Sequence, residues 1–159
     1  MEEKIVYYDE PGIEHTAQTL ELAVERARAR GIRKIVLAST RGETARLMAE
    51  RLHGSDIQMV VVPHQYGFMA GQRFPPELVE ELAAQGHVVH FGTMLFHTEH
   101  FYGNDTPRVM ADLLRSFCQG MKVAVEIVLM AADGVKVNIG EPVIVVTGTG
   151  RGADTAIVA

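Results

Sequence analysis

Ile35-Val36-Leu37-Ala38-Ser39-Thr40-Arg41-Gly42-Glu43-Thr44, continuing as Ala45-Arg46-Leu47-Met48-Ala49-Glu50-Arg51-Leu52, runs from an apolar strand through a polar turn into a helix. Such a turn leaves unpaired backbone N–H groups at the positive end of the helix dipole. That arrangement holds anions, commonly phosphate. Ser39, Thr40 and Thr44 add hydroxyl donors, Gly42 permits close backbone approach and Arg41 supplies charge. The same residues also read as an ordinary capped helix, because Ser and Thr are preferred caps. The rest of the chain has to separate the two readings.

Outward from this stretch the pattern is that of an α/β sheet. Ile5-Val6-Tyr7-Tyr8 reads as a first strand closed by Asp9-Glu10-Pro11-Gly12. A helix follows, with Thr16 as cap and Thr19, Leu20, Ala23, Val24 and Ala27 at helical spacing, ending at Gly31. Residues 57–62 form a near-continuous apolar run, as in a parallel strand covered on both faces. Residues 63–74 are a loop at the carboxyl end of that strand, exposing Tyr66, Gly67 and Phe68 where open α/β sheets bind ligands. Pro75 and Pro76 start a helix that reaches Gly86, and residues 87–91 alternate like a strand. Residues 93–102 give no assignable pattern. Residues 106–117 read as a helix, and the length of 121–132 favours helix over strand. Residues 143–146 and 153–158 read as strands, and the whole is expected to be one domain over 1–159. The architecture expected is three-layer α/β/α with a mostly parallel sheet.

With 159 residues, 47% of them hydrophobic and 22% charged, the chain suits an ordinary globular core without disulfides or metal. The net charge of −5 argues against a general nucleic-acid binder, and the basic run Arg26, Arg28, Arg30, Arg33, Lys34 reads as a solvated face. Cys118 is the single cysteine and reads as a small buried residue. The acidic start lacks a signal-peptide run and no segment is long enough to span a bilayer, so a cytoplasmic protein without membrane association is expected.

A second glycine turn, Thr147-Gly148-Thr149-Gly150-Arg151-Gly152-Ala153, superficially fits the dinucleotide fingerprint. That fingerprint needs a helix after the glycines and an acid about 20 residues on, and the sequence ends at Ala159. A glycine loop with an arginine between two strands still makes an oxyanion wrap, from bare N–H groups and one forked cation. A simple glycine-rich hairpin, its turn satisfied by Asp154 and Thr155, reads equally well.

Residues 34–47 joined to 140–148 and the glycine loop resemble the C-terminal alpha/beta domain of pyruvate kinase. The whole chain is similar to small stand-alone proteins of that fold, most specifically in Val125-Glu126-Ile127-Val128-Leu129-Met130-Ala131-Ala132-Asp133 and Gly150-Arg151-Gly152-Ala153-Asp154-Thr155-Ala156. The resemblance implies that Ser39, Thr40, Gly42 and Thr44 face Gly148, Thr149, Gly150, Arg151 and Gly152 across one phosphorylated small molecule. It implies no pyruvate kinase activity, because the catalytic residues of that enzyme belong to its barrel domain. For the stand-alone relatives it implies a nucleotide-like ligand, with flavin mononucleotide (FMN) the candidate and Tyr66 and Phe68 available to stack on its ring.

Other residues invite chemistry. Glu126 and Asp133 are acids in or beside an apolar run and share a helix face, as an acid/base pair or as separate structural groups. They support an alternative enzyme reading, a flavin-dependent redox protein or a hydrolase. His97, Glu99 and His100, with His90 nearby, do not match a standard metal-ligand spacing, and no metal site is expected. The apolar last strand offers an edge that a second copy would cover, a homo-oligomeric scaffold.

Overall fold

The computed structural model describes residues 3–159. Its centre is a five-stranded sheet in the order β3-β2-β1-β4-β5. The strands are β1 (Lys34–Ala38), β2 (Gln58–Val62), β3 (Val88–Val89), β4 (Ile144–Thr147) and β5 (Thr155–Val158). β1 pairs parallel with β2 on one side and with β4 on the other, in the register Leu37 to Val61 and Leu37 to Val146. β5 returns antiparallel to β4, so the glycine turn is a hairpin between strands and no helix follows it. The mostly parallel sheet agrees with the α/β reading.

Alternation along β1 explains the layers. Ile35 and Leu37 point into a core shared with helices α1 (Thr16–Arg30), α2 (Glu43–Leu52) and α3 (Pro76–Ala84). Val36 points to the other face, onto Ala124, Ile127 and Met130 of α6 (Gln119–Asp133). Both faces are covered, which is why β1, β2 and β4 are apolar at every central position. Fully burying a side chain such as Val36 or Leu37 is worth about 1.5–3 kcal/mol. Between α3 and α6 lie a 3-10 turn, Leu95–His97, and helices α4 (Glu99–Tyr102) and α5 (Thr106–Arg115).

Some boundaries differ from the sequence reading, each for a physical reason. Residues 5–8 form no strand: Ile5 and Tyr7 face solvent, and Tyr8 stacks on His15 and shares a hydrogen bond with Thr19 Oγ1 at 3.0 Å. An apolar alternation with no sheet edge beside it stays a strap over α1. The expected strand at 87–91 shrinks to Val88–Val89, because His87 turns its Nδ1 to the Met59 N–H at 3.2 Å. α1 is preceded by His15 at its cap, while Thr16 is its first residue and donates back to the Ile13 carbonyl. α2 begins at Glu43, two residues earlier than the apolar spacing suggests. The basic run is partly consumed by partners: Arg26 and Arg30 hold Glu3, and Lys34 bonds Glu141 and the Lys136 carbonyl. Cys118 is exposed at the cap of α6, where its sulfur accepts the Met121 N–H, rather than buried. Among the described residues no helix is long and apolar enough to cross a membrane.

Candidate functional site

β1 is where the winding of the sheet reverses. The chain leaves it through α2 toward β2, and returns on its other side as β4. Loops that leave the carboxyl ends of two such neighbouring strands diverge and leave a crevice between them. The loops here are residues 39–44 after β1 and 148–152 after β4. A cavity of about 470 Å³ opens between them, within the range of small-molecule sites.

The two loops are built differently. Gly42 caps α2 with φ 87, and a Cβ there would stand 2.3 Å from Leu78 Cδ2, so α3 packs directly on its bare backbone. Ser39 Oγ accepts the Ala45 N–H at 3.4 Å, which leaves the earlier amides of the turn without a side-chain cap. The glycine loop is pinned from below: Thr16 Oγ1 accepts the Ala153 N–H at 3.0 Å, and a Cβ on Gly152 would come within 2.2 Å of the same oxygen. Arg151 reaches across and donates to Glu43 at 3.1 Å, tying one loop to the other.

Ser39, Thr40, Arg41 and Thr44 line the cavity, and so do Gly148, Thr149, Gly150, Arg151 and Gly152. Gly42 sits behind the wall. Thr147 lies beneath, fully buried, with its hydroxyl donating to the Gly120 carbonyl at 2.8 Å. Phe68 lines the cavity, whereas Tyr66 and Gly67 lie outside its lining and Tyr66 leans on the Phe91 ring at 4.8 Å. Glu126 lines it and Asp133 does not: Asp133 is exposed at the last residue of α6. The two acids share a helix face in sequence but not a site.

The far wall is one face of α6. Gln119, Lys122, Val123, Glu126, Ile127 and Met130 line the cavity at spacings of three, four, seven, eight and eleven residues. Over that length the helix rises roughly 16 Å. Lys122 and Glu126 are both only 2% exposed and form an ion pair. Burial presses the Glu126 carboxyl upward, but donation from His97, Lys122 and the Phe96 N–H outweighs it and holds the group below the ordinary carboxylate value. Glu126 Oε1 accepts the Phe96 N–H at 2.9 Å and lies 3.2 Å from His97 Nδ1. Lys122 also stands 5.6 Å above the Phe96 ring. Beyond Phe68, burial and then the nearby His97 and Arg73 depress the pKa of His64.

Arg73, Arg115, Lys122, His64 and His97 also line the cavity. Sequence reasoning did not assign them to the site. One signal was available for Lys122, which stands four residues before Glu126 inside an apolar stretch, the spacing of a helical ion pair. His97 lies apart from a metal cluster: among the described residues no three His, Cys, Asp or Glu side chains gather in a metal-holding group.

Residues 17–159 match the family model described as pyruvate kinase, alpha/beta domain. Among solved structures, a pyruvate kinase from Cryptosporidium parvum is similar at 15% identity, with 96% of this chain and 23% of that one covered and a TM-score of 0.49. A second structure of pyruvate kinase from that organism, in complex with ADP, is similar at 15% identity over 96% of this chain and 24% of that one, with a TM-score of 0.47. The chain spans about a quarter of the length of these enzymes. On the family match, which covers nearly the whole sequence, this chain belongs to the pyruvate kinase alpha/beta domain family.

Proposed function

We propose that the chain is a small-molecule binding domain that holds a phosphorylated ligand between the 39–44 turn and the 148–152 loop. The observation that carries this reading is the charge of the cavity. Arg41, Arg73, Arg115, Arg151 and Lys122 line it against two carboxylates, Glu43 and Glu126, in a chain whose net charge is −5. A negative protein that gathers cations around one crevice has a site that favours an anion. The first-turn amides of α2 and the bare loop at Gly150 supply neutral donors beside those cations. The stretch along Phe68, Met94, Val123 and Ile127 is apolar and suits a flat ring. A phosphate joined to a ring is the chemistry of FMN, which is the ligand we name first.

The test begins with the absorption spectrum of freshly purified protein and mass analysis of whatever denaturation releases. Yellow protein releasing FMN is the expected result. A colourless phosphorylated metabolite keeps the site and replaces its occupant. Thr44→Ala combined with Gly150→Asp puts a carboxylate where nothing lies within 4 Å of a Cβ, so the fold tolerates it. Ligand affinity is expected to fall at least 100-fold; unchanged affinity removes the site.

A further inference from the structure

His97 has one nitrogen committed and one free. Glu126, ionised, can only accept hydrogen bonds, so its contact with His97 Nδ1 at 3.2 Å requires a proton on that nitrogen. In the neutral ring the lone pair then sits on Nε2. Among the described residues Nε2 makes no hydrogen bond to protein. The ring is held edge-on by Phe68, with centroids 5.1 Å apart, and Glu126 is itself fixed by the Phe96 N–H and Lys122. A carboxylate that locks a histidine tautomer and aims its other nitrogen is a positioning device.

The acceptor stands away from the anion loops. The first turn of α6 is tied to the end of β4 through Thr147 and Gly120, immediately before the glycine loop. Glu126 lies six residues further along, about 9 Å down the helix axis. It is close enough to His64, in the segment that follows β2, to act on its charge, and Val62, Pro63 and His64 line the same cavity. Lys122 and Val123 lie in the interval, and Ile127 follows Glu126. The cavity therefore has the two loops at one end of the α6 wall and, further along it beside Glu126, an acceptor at His97.

We propose that His97, oriented by Glu126, selects the far end of the ligand by accepting a hydrogen bond from a ring N–H, so that the ligand is a nucleoside-like monophosphate with an imide edge. The inference rests on the anion site proposed above. FMN and uridine 5′-monophosphate carry such an edge, whereas cytidine 5′-monophosphate presents a bare ring nitrogen in its place. A site built to accept from an N–H rejects a ring that lacks it, because both lone pairs are left facing each other.

The experiment is calorimetric titration with inorganic phosphate, uridine monophosphate and cytidine monophosphate. Uridine monophosphate is expected to bind at least tenfold more tightly than the other two. In His97→Phe the two nucleotides become equal. In Glu126→Gln the side-chain amide can donate to Nδ1 and move the imidazole proton to Nε2, so the preference is lost or inverted. Because Glu126→Gln also leaves Lys122 without its counter-ion, His97→Phe is the variant that keeps the test open if the first misfolds. Nitrogen-15 spectra are expected to show His97 protonated at Nδ1. Equal affinity for both nucleotides, a proton on Nε2, or nucleotides no tighter than phosphate each overturn the inference. Failure of all three ligands to bind removes the anion site beneath it, a different result.

Discussion

The two faces of the central sheet are packed on different terms. Against α1, α2 and α3 the large buried side chains are Leu20, Ile35, Leu37, Met48, Phe74 and Leu78, interlocked in one apolar core. Against α6 the core is smaller, and it gives way at the carboxyl edge to a cavity floored by Lys122 and Glu126. Burying a lysine and a glutamate contributes little to stability compared with apolar residues of the same volume. The first face is a continuous apolar core, and the second accepts a thermodynamic cost beside the cavity.

The largest effect should come from splitting the buried pair. Lys122→Met leaves Glu126 charged and poorly solvated and is expected to cost about 4 kcal/mol in urea unfolding. Adding Glu126→Leu should recover most of that loss. A Lys122→Met variant as stable as the parent would mean that the two faces do not differ in this way. On the solid face, Leu37→Ala should cost roughly 3 kcal/mol through lost contacts and a cavity, with phosphate affinity unchanged. Gly152→Ala lies between the faces: at φ 75 and against Thr16 it should cost about 2 kcal/mol. It should also weaken phosphate binding, since the loop has to lift.

The smallest effect is in pH. His87 has its pKa lowered by burial, and its Nδ1 accepts the Met59 N–H. His64 has its pKa lowered by burial and then by His97 and Arg73. Both therefore bind protons more weakly folded than unfolded. Their contribution is fully present above the ordinary value of 6.5 and is lost as pH falls below it toward the depressed values. Glu126 has the same sign at lower pH, its stabilisation fading as pH drops below 4.5. Unfolding midpoints between pH 7 and 5 should fall, and His87→Gln should flatten part of that slope. A phosphate ligand is expected to change the share due to His64 and to leave that of His87 alone.

Much of the fold was legible because each strand that matters is apolar on both faces and bounded by a turn. Residues 34–38, 57–62 and 143–146 could scarcely be anything but buried strands, and they carry the two loops with them. The first four apolar residues misled for the converse reason: period-two patterning says that a segment could pair, not that an edge is beside it. The two loops were visible as local chemistry, a hydroxyl turn and a glycine hairpin. The opposite wall was not, because Arg73, Arg115 and His64 come from separate segments and acquire meaning only when α6 lies across the sheet. Glu126 and Asp133 show the same limit, since helical periodicity places both on one face while neighbouring elements cover only the first.

Arg151 and Glu43 are 108 residues apart and meet because β4 inserts beside β1 after nearly everything else has been made. Contacts so distant along the chain close late and slowly during folding. A polypeptide emerging from the ribosome therefore has no formed cavity until β4 and β5 have docked. Any bound metabolite is then a seal on finished molecules, acting mainly to slow their opening rather than to hasten their assembly.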